Sequence, residues 1–201
     1  MRKLTLFVPV LAFLLFTHFA SAQQIDAFIG GGSLLSSSSN SSGLPPEKGG
    51  LYINLGGDVV FYKHVGVNIE TAWRATQGDA TQPTLGENYR PILTDFNLLY
   101  QPHLGKKAGL DLMAGIGSAD TRFYFPGPSC SGCINYGSTD HFMEHLAGGI
   151  RYYVWHHVFV RPEIHYYHIQ NNNNPNNNGF FNSNNVFRVG ASIGYTFGGN
   201  Y

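Results

Sequence analysis

Apolar and polar residues alternate along most of the chain, and the clearest example is the segment from Phe187 to Phe197. Every odd position in it is apolar, whereas every even position is small, polar or charged. Successive side chains of a β-strand point to opposite faces of the sheet, so this pattern predicts a strand with one apolar face. Helical spacing would scatter the same residues around a cylinder.

The same alternation predicts six further strands, and a glycine-rich segment from Ile25 to Ser33 predicts a first strand whose facing the pattern does not fix. The six cover residues 51–62, 65–75, 94–101, 108–117, 145–154 and 158–166. One residue departs from the pattern, because Glu144 shares the parity of the outward residues Leu146 and Ile150. The sequence therefore predicts eight strands in all.

Short and long connections alternate between these strands. The short ones lie at residues 62–64, 102–106 and 155–157, and the long ones at residues 34–48, 76–88, 119–139 and 169–185. Tight turns at one end and longer loops at the other are typical of an outer-membrane barrel. Each membrane-spanning strand needs about 9–11 residues, so the length suits an eight-stranded antiparallel up-and-down transmembrane β-barrel and excludes a wide porin.

The first 22 residues have the pattern of a secretory signal peptide. Arg2 and Lys3 precede an apolar stretch from Leu4 to Ala20, and the small residues that follow predict cleavage after Ala22. A transmembrane anchor is the alternative, but the polar residues that come next favour cleavage. We therefore expect a barrel domain over residues 23–201.

Composition excludes several classes of function. The 201 residues are 43% hydrophobic, which argues against disorder, and 12 basic against 12 acidic residues leave no surplus charge for nucleic acid. A soluble lipocalin-like barrel or sandwich is the remaining alternative. Its polar surface would be rich in Lys and Glu, whereas the polar faces here carry glycine and opposite charges. Aromatic residues also gather near the strand ends, as they do at membrane interfaces: Phe61, Trp73, Tyr100, Phe142, Trp155, Phe159, Tyr166, Tyr167, Tyr195 and Phe197.

Three segments carry a resemblance to a known family. Residues 148–153, 160–167 and 188–197 resemble the outer-membrane β-barrel domain family, the small barrels of the OmpA and OmpX type. The resemblance covers the whole chain after the signal peptide. It implies location in the cell outer membrane with both termini periplasmic, and it implies that Tyr195 and Phe197 form part of the signal read by the barrel-assembly machinery.

Parity places nine charged residues inside the predicted barrel. They are five acids and four bases: Asp58, Glu70, Arg74, Asp95, Asp111, Arg151, Arg161, Glu163 and Arg188. An eight-stranded barrel is just wide enough for side chains to fill it. We therefore predict a lumenal network of ion pairs that plugs the barrel. A narrow gated pore is the alternative.

Cys130 and Cys133 are the two cysteines, and they lie in the third long loop. Two nearby thiols in an oxidising compartment predict a disulfide. A redox pair would need a thioredoxin-like setting and a zinc site would need more ligands, and neither is evident. No metal or cofactor is expected, and the histidines signal a metal site only weakly.

The sequence favours a structural or surface-interaction role without catalysis, through extracellular loops that include the asparagine-rich residues 170–179. The expected partners are outer-membrane lipid, lipopolysaccharide and the assembly machinery, with no nucleic acid, and the surface partner is not identified. A hydrolase is the enzymatic alternative, because residues 168–171 resemble the catalytic segment of lipid A deacylases. There His168 could act as the base, but Gln170 occupies the nucleophile position and has no hydroxyl to activate.

Overall fold

The computed structural model describes residues 24–36, 49–79, 88–124, 136–170 and 184–198. Within these residues there are eight long strands and one two-residue strand: β1 (Gln24–Ser36), β2 (Gly49–Tyr62), β3 (Val65–Arg74), β4 (Gly78–Asp79), β5 (Asn88–Tyr100), β6 (Ala108–Tyr124), β7 (Tyr136–Trp155), β8 (Val158–Ile169) and β9 (Asn185–Gly198). None of the described segments contains a helix long and apolar enough to cross a membrane.

The eight long strands close into an antiparallel up-and-down barrel. Each pairs with its neighbours in the chain, β1 pairs with β9, and β3 pairs with β5, which skips the short β4. The β4 strand adds only two residue pairs to the edge of β5. The predicted eight-stranded barrel is therefore confirmed.

The alternation predicted from the sequence appears as alternating burial. In β9 the even positions from Val186 to Thr196 face the interior, except that Gly190 is only half-buried, and the odd positions face out. Ile69 on β3 and Ile193 on β9 are each about half exposed, at 56% and 51%. Large apolar side chains exposed in this way around the whole barrel form a band suited to lipid.

Glycine-rich β1 has a definite facing, which the sequence alone did not fix. Gln24, Asp26 and Phe28 point inward, whereas Ile25 and Ile29 point outward. The pairing of β1 with both β2 and β9 sets this register. Asp26 consequently joins the charged groups of the interior.

Three side chains face the opposite way from their predicted positions. Tyr62, grouped with the inward residues of its strand, is 60% exposed, because the register shifts between Val60 and Tyr62. Phe159 and Tyr167, both expected among the rings at the membrane interface, are fully buried inside the barrel. Phe159 packs there with Phe28 and Tyr153, and Tyr167 belongs to a separate buried apolar cluster.

The third long loop is shorter than the predicted 119–139, because β6 continues to Tyr124 and β7 begins at Tyr136. Polar outward residues end the apolar alternation there, but the backbone ladder continues to the pair Tyr124 and Tyr136. The β6 and β7 strands have 17 and 20 residues, more than the roughly 9–11 that cross a membrane. Beyond Phe142 no described strand pairs with the other edge of β7. We call this taller part of the barrel, formed by the ends of β5, β6 and β7, the wall extension.

Candidate functional site

Two arginines and three aspartates form a cluster in the half of the barrel nearer the short turns. Nη2 of Arg151 lies 2.7 Å from Asp58 and 2.9 Å from Asp111, and its Nη1 contacts Asp26. Arg161 approaches Asp58 at 3.2 Å and Asp111 at 3.1 Å. Each residue is at most 2% exposed. Shared carboxylates of this kind hold strands β1, β2, β6, β7 and β8 together from inside.

The two guanidinium groups also lie over aromatic rings. Cζ of Arg151 is 4.1 Å from the centre of the Phe159 ring, and Cζ of Arg161 is 4.1 Å from that of Phe28. A desolvated cation over an aromatic face is favourable. Each arginine of the cluster is therefore held both by carboxylates and by an aromatic ring.

A second cluster surrounds Arg188. Its Nη2 contacts Glu70, donates to Nε2 of His165 at 2.8 Å and lies 3.7 Å from Glu163. The three surrounding groups offer ligand atoms within 4.8 Å of one another, close enough to hold a metal ion. Since Arg188 contacts all three, the guanidinium supplies the positive charge at this position.

Hydrogen bonds continue from Arg188 through two histidines. His165 Nδ1 lies 3.0 Å from Nε2 of His145, and His145 Nδ1 lies 2.6 Å from Oδ1 of Asn97. Asn97 donates in turn to Asn68 at 2.7 Å and to Asp95 at 2.5 Å. Asn68 donates to Asp58 at 2.6 Å, which connects the two charged clusters.

An apolar layer covers the charged interior at the long-loop end. It consists of eight buried inward residues: Leu34, Tyr52, Leu93, Ala119, Met143, Tyr167, Ile169 and Val186. At the short-turn end a smaller apolar cluster of Val60, Leu99 and Met113 lies beside the buried polar side chains of Gln24, Gln101 and Asp111. A hydrated ion would have to cross the apolar layer and the ion pairs below it. The sequence analysis did not anticipate this layer, although the inward parity of Leu93 and Met143 signals it.

Eight of the nine charged residues assigned to the lumen are buried there, and the ninth, Arg74, lies higher. Arg74 donates to the hydroxyl of Tyr89 at 3.0 Å near the long-loop end. The sequence missed Asp26, whereas parity had placed His145 and His165 on the inward face without assigning them to the network. In the described part of the interior six carboxylates therefore face three arginines. Asp95 accepts a hydrogen bond from Asn97 and lies 3.4 Å from Nδ1 of His145.

The outward side chains of the wall extension are polar. Arg90 on β5 is the cross-strand partner of Arg122 on β6, and Asp120 on β6 is the partner of Asp140 on β7. The Ser118 hydroxyl lies within hydrogen-bond distance of both aspartates, 3.2 Å from Asp120, and can donate its single proton to either. Partial burial and the neighbouring Asp140 raise the pKa of Asp120 above its usual value of 3.8. This surface lies beyond the lipid-facing band.

The residues of the hydrolase alternative lie on the outer surface. His168 faces outward as the cross-strand partner of Glu144, and its Nδ1 lies 2.9 Å from Oδ1 of Asn185. Gln170 is exposed at the end of β8. Glu144 thus faces outward, as its parity indicates, beside a histidine.

The remaining predicted site residues fall into two groups. Tyr195 and Phe197 face outward on β9, where their partners on β1 are Ala27 and Ile25, at the seam that closes the barrel. Cys130, Cys133 and most of the asparagine-rich loop lie outside the described residues, as do residues 1–22, where a signal peptide is predicted.

Solved structures with the same fold are outer-membrane barrels. The Ail protein of Yersinia pestis, in complex with the heparin analogue sucrose octasulfate, matches with a TM-score of 0.57 and 13% identity over 87% of this chain and 98% of Ail. Neisserial surface protein A matches with a TM-score of 0.60 and 11% identity over 87% and 96%. A major outer membrane protein of Thermus thermophilus gives 0.59 and 11% over 87% and 99%.

Comparison by sequence gives the family. No curated protein sequence matches the chain significantly. The family model described as outer membrane protein beta-barrel domain matches residues 8–197. The chain therefore belongs to the outer membrane protein β-barrel domain family.

Proposed function

We propose that this outer-membrane protein binds partners at the cell surface through its extracellular end, and that it neither conducts nor catalyses. The wall extension is the observation that carries the proposal. In this class of barrel the short turns are periplasmic and the longer loops extracellular. The ends of β5, β6 and β7 therefore project outside the cell, beyond what spanning the membrane requires.

The wall extension offers a polar face and a strand edge that no other described strand covers. Between Tyr136 and Asp140 no described strand pairs with the outer edge of β7. Such an edge presents backbone donors and acceptors to a partner. The neighbour Ail has been solved with a sulfated saccharide, which makes a heparin analogue a suitable first probe for this chain.

Binding would be tested with a variant that lacks the projection. Replacing residues 122–138 by Asn-Gly joins β6 to β7 at the pair Thr121 and Thr139, with a turn suited to a two-residue hairpin. We expect the shortened barrel to keep its heat-modifiable migration in gels and to lose binding of sucrose octasulfate, measured by calorimetry in micelles. Equal binding by both proteins would contradict a role for the wall extension.

The sealed interior argues against the narrow pore. An apolar layer covers the ion pairs at the long-loop end, and apolar constrictions oppose ion passage. We expect the wild-type protein to give no steps above the baseline in planar bilayers. Polar replacement of Leu93 and Met143 together is the control that opens the upper layer. Steady conductance by the wild-type protein would overturn this part of the proposal.

The absence of catalysis is argued from Gln170. An amide is not a nucleophile that His168 can activate. Purified protein incubated with lipopolysaccharide should leave every acyl chain in place, as judged by mass spectrometry of the lipid. Release of a fatty acid that depends on His168 would establish the hydrolase instead.

Processing and assembly complete the proposal. Cleavage after Ala22 and a bond between Cys130 and Cys133 both change the intact mass, the second by two hydrogen atoms on reduction.

We further propose that the assembly machinery reads Tyr195 and Phe197, which lie at the closing seam, and that the outer wall contacts lipopolysaccharide. Replacing both aromatic residues by Ala should lower the amount of assembled barrel in outer-membrane fractions.

A further inference from the structure

An acidic side chain lies at the border of the lipid-facing band on β7, on the side of the long loops. Glu144 points outward between Phe142 and Leu146, two outward residues of the same strand that are each about half exposed. Its cross-strand partner on β6 is Ile116, which is also about half exposed. Apolar side chains thus border the carboxylate on three sides. The fourth neighbour is His168 on β8.

Asn185 holds the ring of His168 away from Glu144. Oδ1 of Asn185 accepts a hydrogen bond from the hydroxyl of Tyr166 at 2.7 Å and lies 2.9 Å from Nδ1 of His168. A carbonyl oxygen only accepts, so Nδ1 of His168 is the donor. Asn185 is on β9, on the opposite side of β8 from Glu144. Within the described strands Glu144 consequently forms no ion pair with His168 or with any other side chain.

The acid and the histidine form a surface that is complementary to itself. Copies of a barrel in one membrane have the same orientation, so a two-fold axis that relates two copies runs along the membrane normal. Such an axis keeps every height and exchanges left and right across the contact. Cross-strand partners on tilted strands differ in height by only about 3 Å. Glu144 of one copy can therefore face His168 of a second copy, and the contact occurs twice.

A glycine on the same face allows a second copy to approach closely. Gly148 occupies an outward position on β7 between Leu146 and Ile150, both of which are about half exposed. A Cβ at Gly148 would meet only Leu112 at 3.8 Å and a backbone oxygen at 4.0 Å. Packing within the barrel therefore does not require glycine here. A glycine inside a strand often marks the close approach of another backbone.

We propose that the protein forms a lateral homodimer in the outer membrane through the outer face of β7 and β8. Glu144 of each copy contacts His168 of the other. The contact uses Nε2, the ring nitrogen that is not directed at Asn185, and the imidazolium form donates it to the facing carboxylate. Both acidic groups are thereby paired at the border of the lipid. This dimer goes beyond the proposed surface binding and does not depend on it.

The test exchanges the charges between copies. Glu144→His gives a face with two histidines and His168→Glu gives a face with two glutamates, so each variant lacks complementarity to itself. Proteins labelled at the N-terminus with a donor or an acceptor dye are mixed in phospholipid vesicles, and energy transfer is measured at several lipid-to-protein ratios. We expect each variant alone to show a dimer dissociation constant at least about tenfold above that of the wild-type protein.

Mixing the two variants is the decisive arm. Each histidine of one variant then faces a glutamate of the other, so energy transfer between them should return toward the wild-type value. The double variant Glu144→His with His168→Glu should also dimerise with itself, because its exchanged charges again meet their opposites. Failure of the mixture to regain energy transfer overturns the proposal, as does wild-type energy transfer no greater than random proximity gives.

Gly148→Phe tests the face by a change that leaves its charges intact. The added ring fills the depression and should weaken dimerisation, whereas an unchanged dissociation constant would contradict the contact at β7. Heat-modifiable migration confirms that each barrel has folded. None of these variants alters residues 122–138, so their binding of sucrose octasulfate tests the proposed function separately on the same preparations.

Discussion

Arg188 donates a hydrogen bond to Nε2 of His165 at 2.8 Å, and this contact fixes the protonation pattern of two buried imidazoles. A guanidinium has no acceptor, so Nε2 of His165 carries no proton. Nδ1 of His165 is then the donor to Nε2 of His145, at 3.0 Å. Nδ1 of His145 is in turn the donor to Asn97.

Both histidines should therefore be found as the Nδ1–H tautomer. Long-range ¹H–¹⁵N spectra of histidine-labelled protein in micelles distinguish the protonated ring nitrogen from the bare one. In the variant Arg188→Met the donor is removed and the tautomers should mix. A proton on Nε2 of His165 in the wild-type protein would show that the chain of hydrogen bonds runs differently.

Replacing Arg151 by Leu should destabilise the barrel strongly. Asp26, Asp58 and Asp111 would lose a shared partner inside the protein. Removing one partner from a buried ion pair costs about 3–5 kcal/mol. Urea unfolding followed by gel mobility would measure the change. Arg74→Leu, outside both clusters, is the matched control and should cost no more than about 1 kcal/mol; similar losses in the two variants would argue against a structural role for the network.

Adjacent glycines on β1 should respond differently to alanine. A Cβ at Gly30 would lie 2.6 Å from both the backbone oxygen of Ala191 and Oδ1 of Asn54, whereas at Gly31 its nearest neighbour is 3.4 Å away. Gly30→Ala should therefore cost about 1–3 kcal/mol. Gly31→Ala should stay within about 0.5 kcal/mol. Equal unfolding midpoints for the two variants would contradict the facing of this strand.

Acidification should stabilise the wall extension through Asp120. Its pKa is raised in the folded protein by partial burial and by Asp140. The folded state therefore holds a proton that the unfolded state releases at any pH between the two pKa values, so stability rises as pH falls from neutral toward the usual value of 3.8. Hydrogen exchange of the β6 and β7 amides near Asp120 would report this gain.

The variant Asp120→Asn isolates the effect of this carboxyl from other titrating groups. It has no proton to gain, so its exchange rates in the wall extension should depend less on pH than those of the wild-type protein. A steeper pH dependence in the variant would mean that Asp120 is instead stabilised as a carboxylate.

Sequence parity predicted the facing of strands whose side chains alternate clearly. Eight charged residues could be placed inside because each has at least one apolar neighbour on the opposite face, as Arg188 lies between Phe187 and Val189. Parity failed at Asp26, since glycines on β1 remove the contrast between the two faces. Parity also does not give the position of a residue along the barrel axis, which is why Arg74 was grouped with residues nearer the centre of the barrel.

The ends of β6 and β7 could not be predicted for a different reason. Beyond the membrane both faces of a strand meet polar surroundings, so alternation disappears while backbone pairing continues. The histidine contacts were also beyond sequence reasoning. His145 and His165 lie 20 positions apart in the chain, and only the register between β7 and β8 brings them within hydrogen-bond distance.

The described strands extend to unequal heights around the barrel, so the protein presents different surfaces in different directions within the membrane plane. On the side of β5, β6 and β7 the sheet extends beyond the rest of the barrel, since β6 and β7 have 17 and 20 residues. The β3 strand has only ten. Proteins that diffuse alongside will meet a different profile depending on the direction of approach. This protein can therefore orient its neighbours in a crowded membrane, although the cross-section of its membrane-spanning part is nearly round.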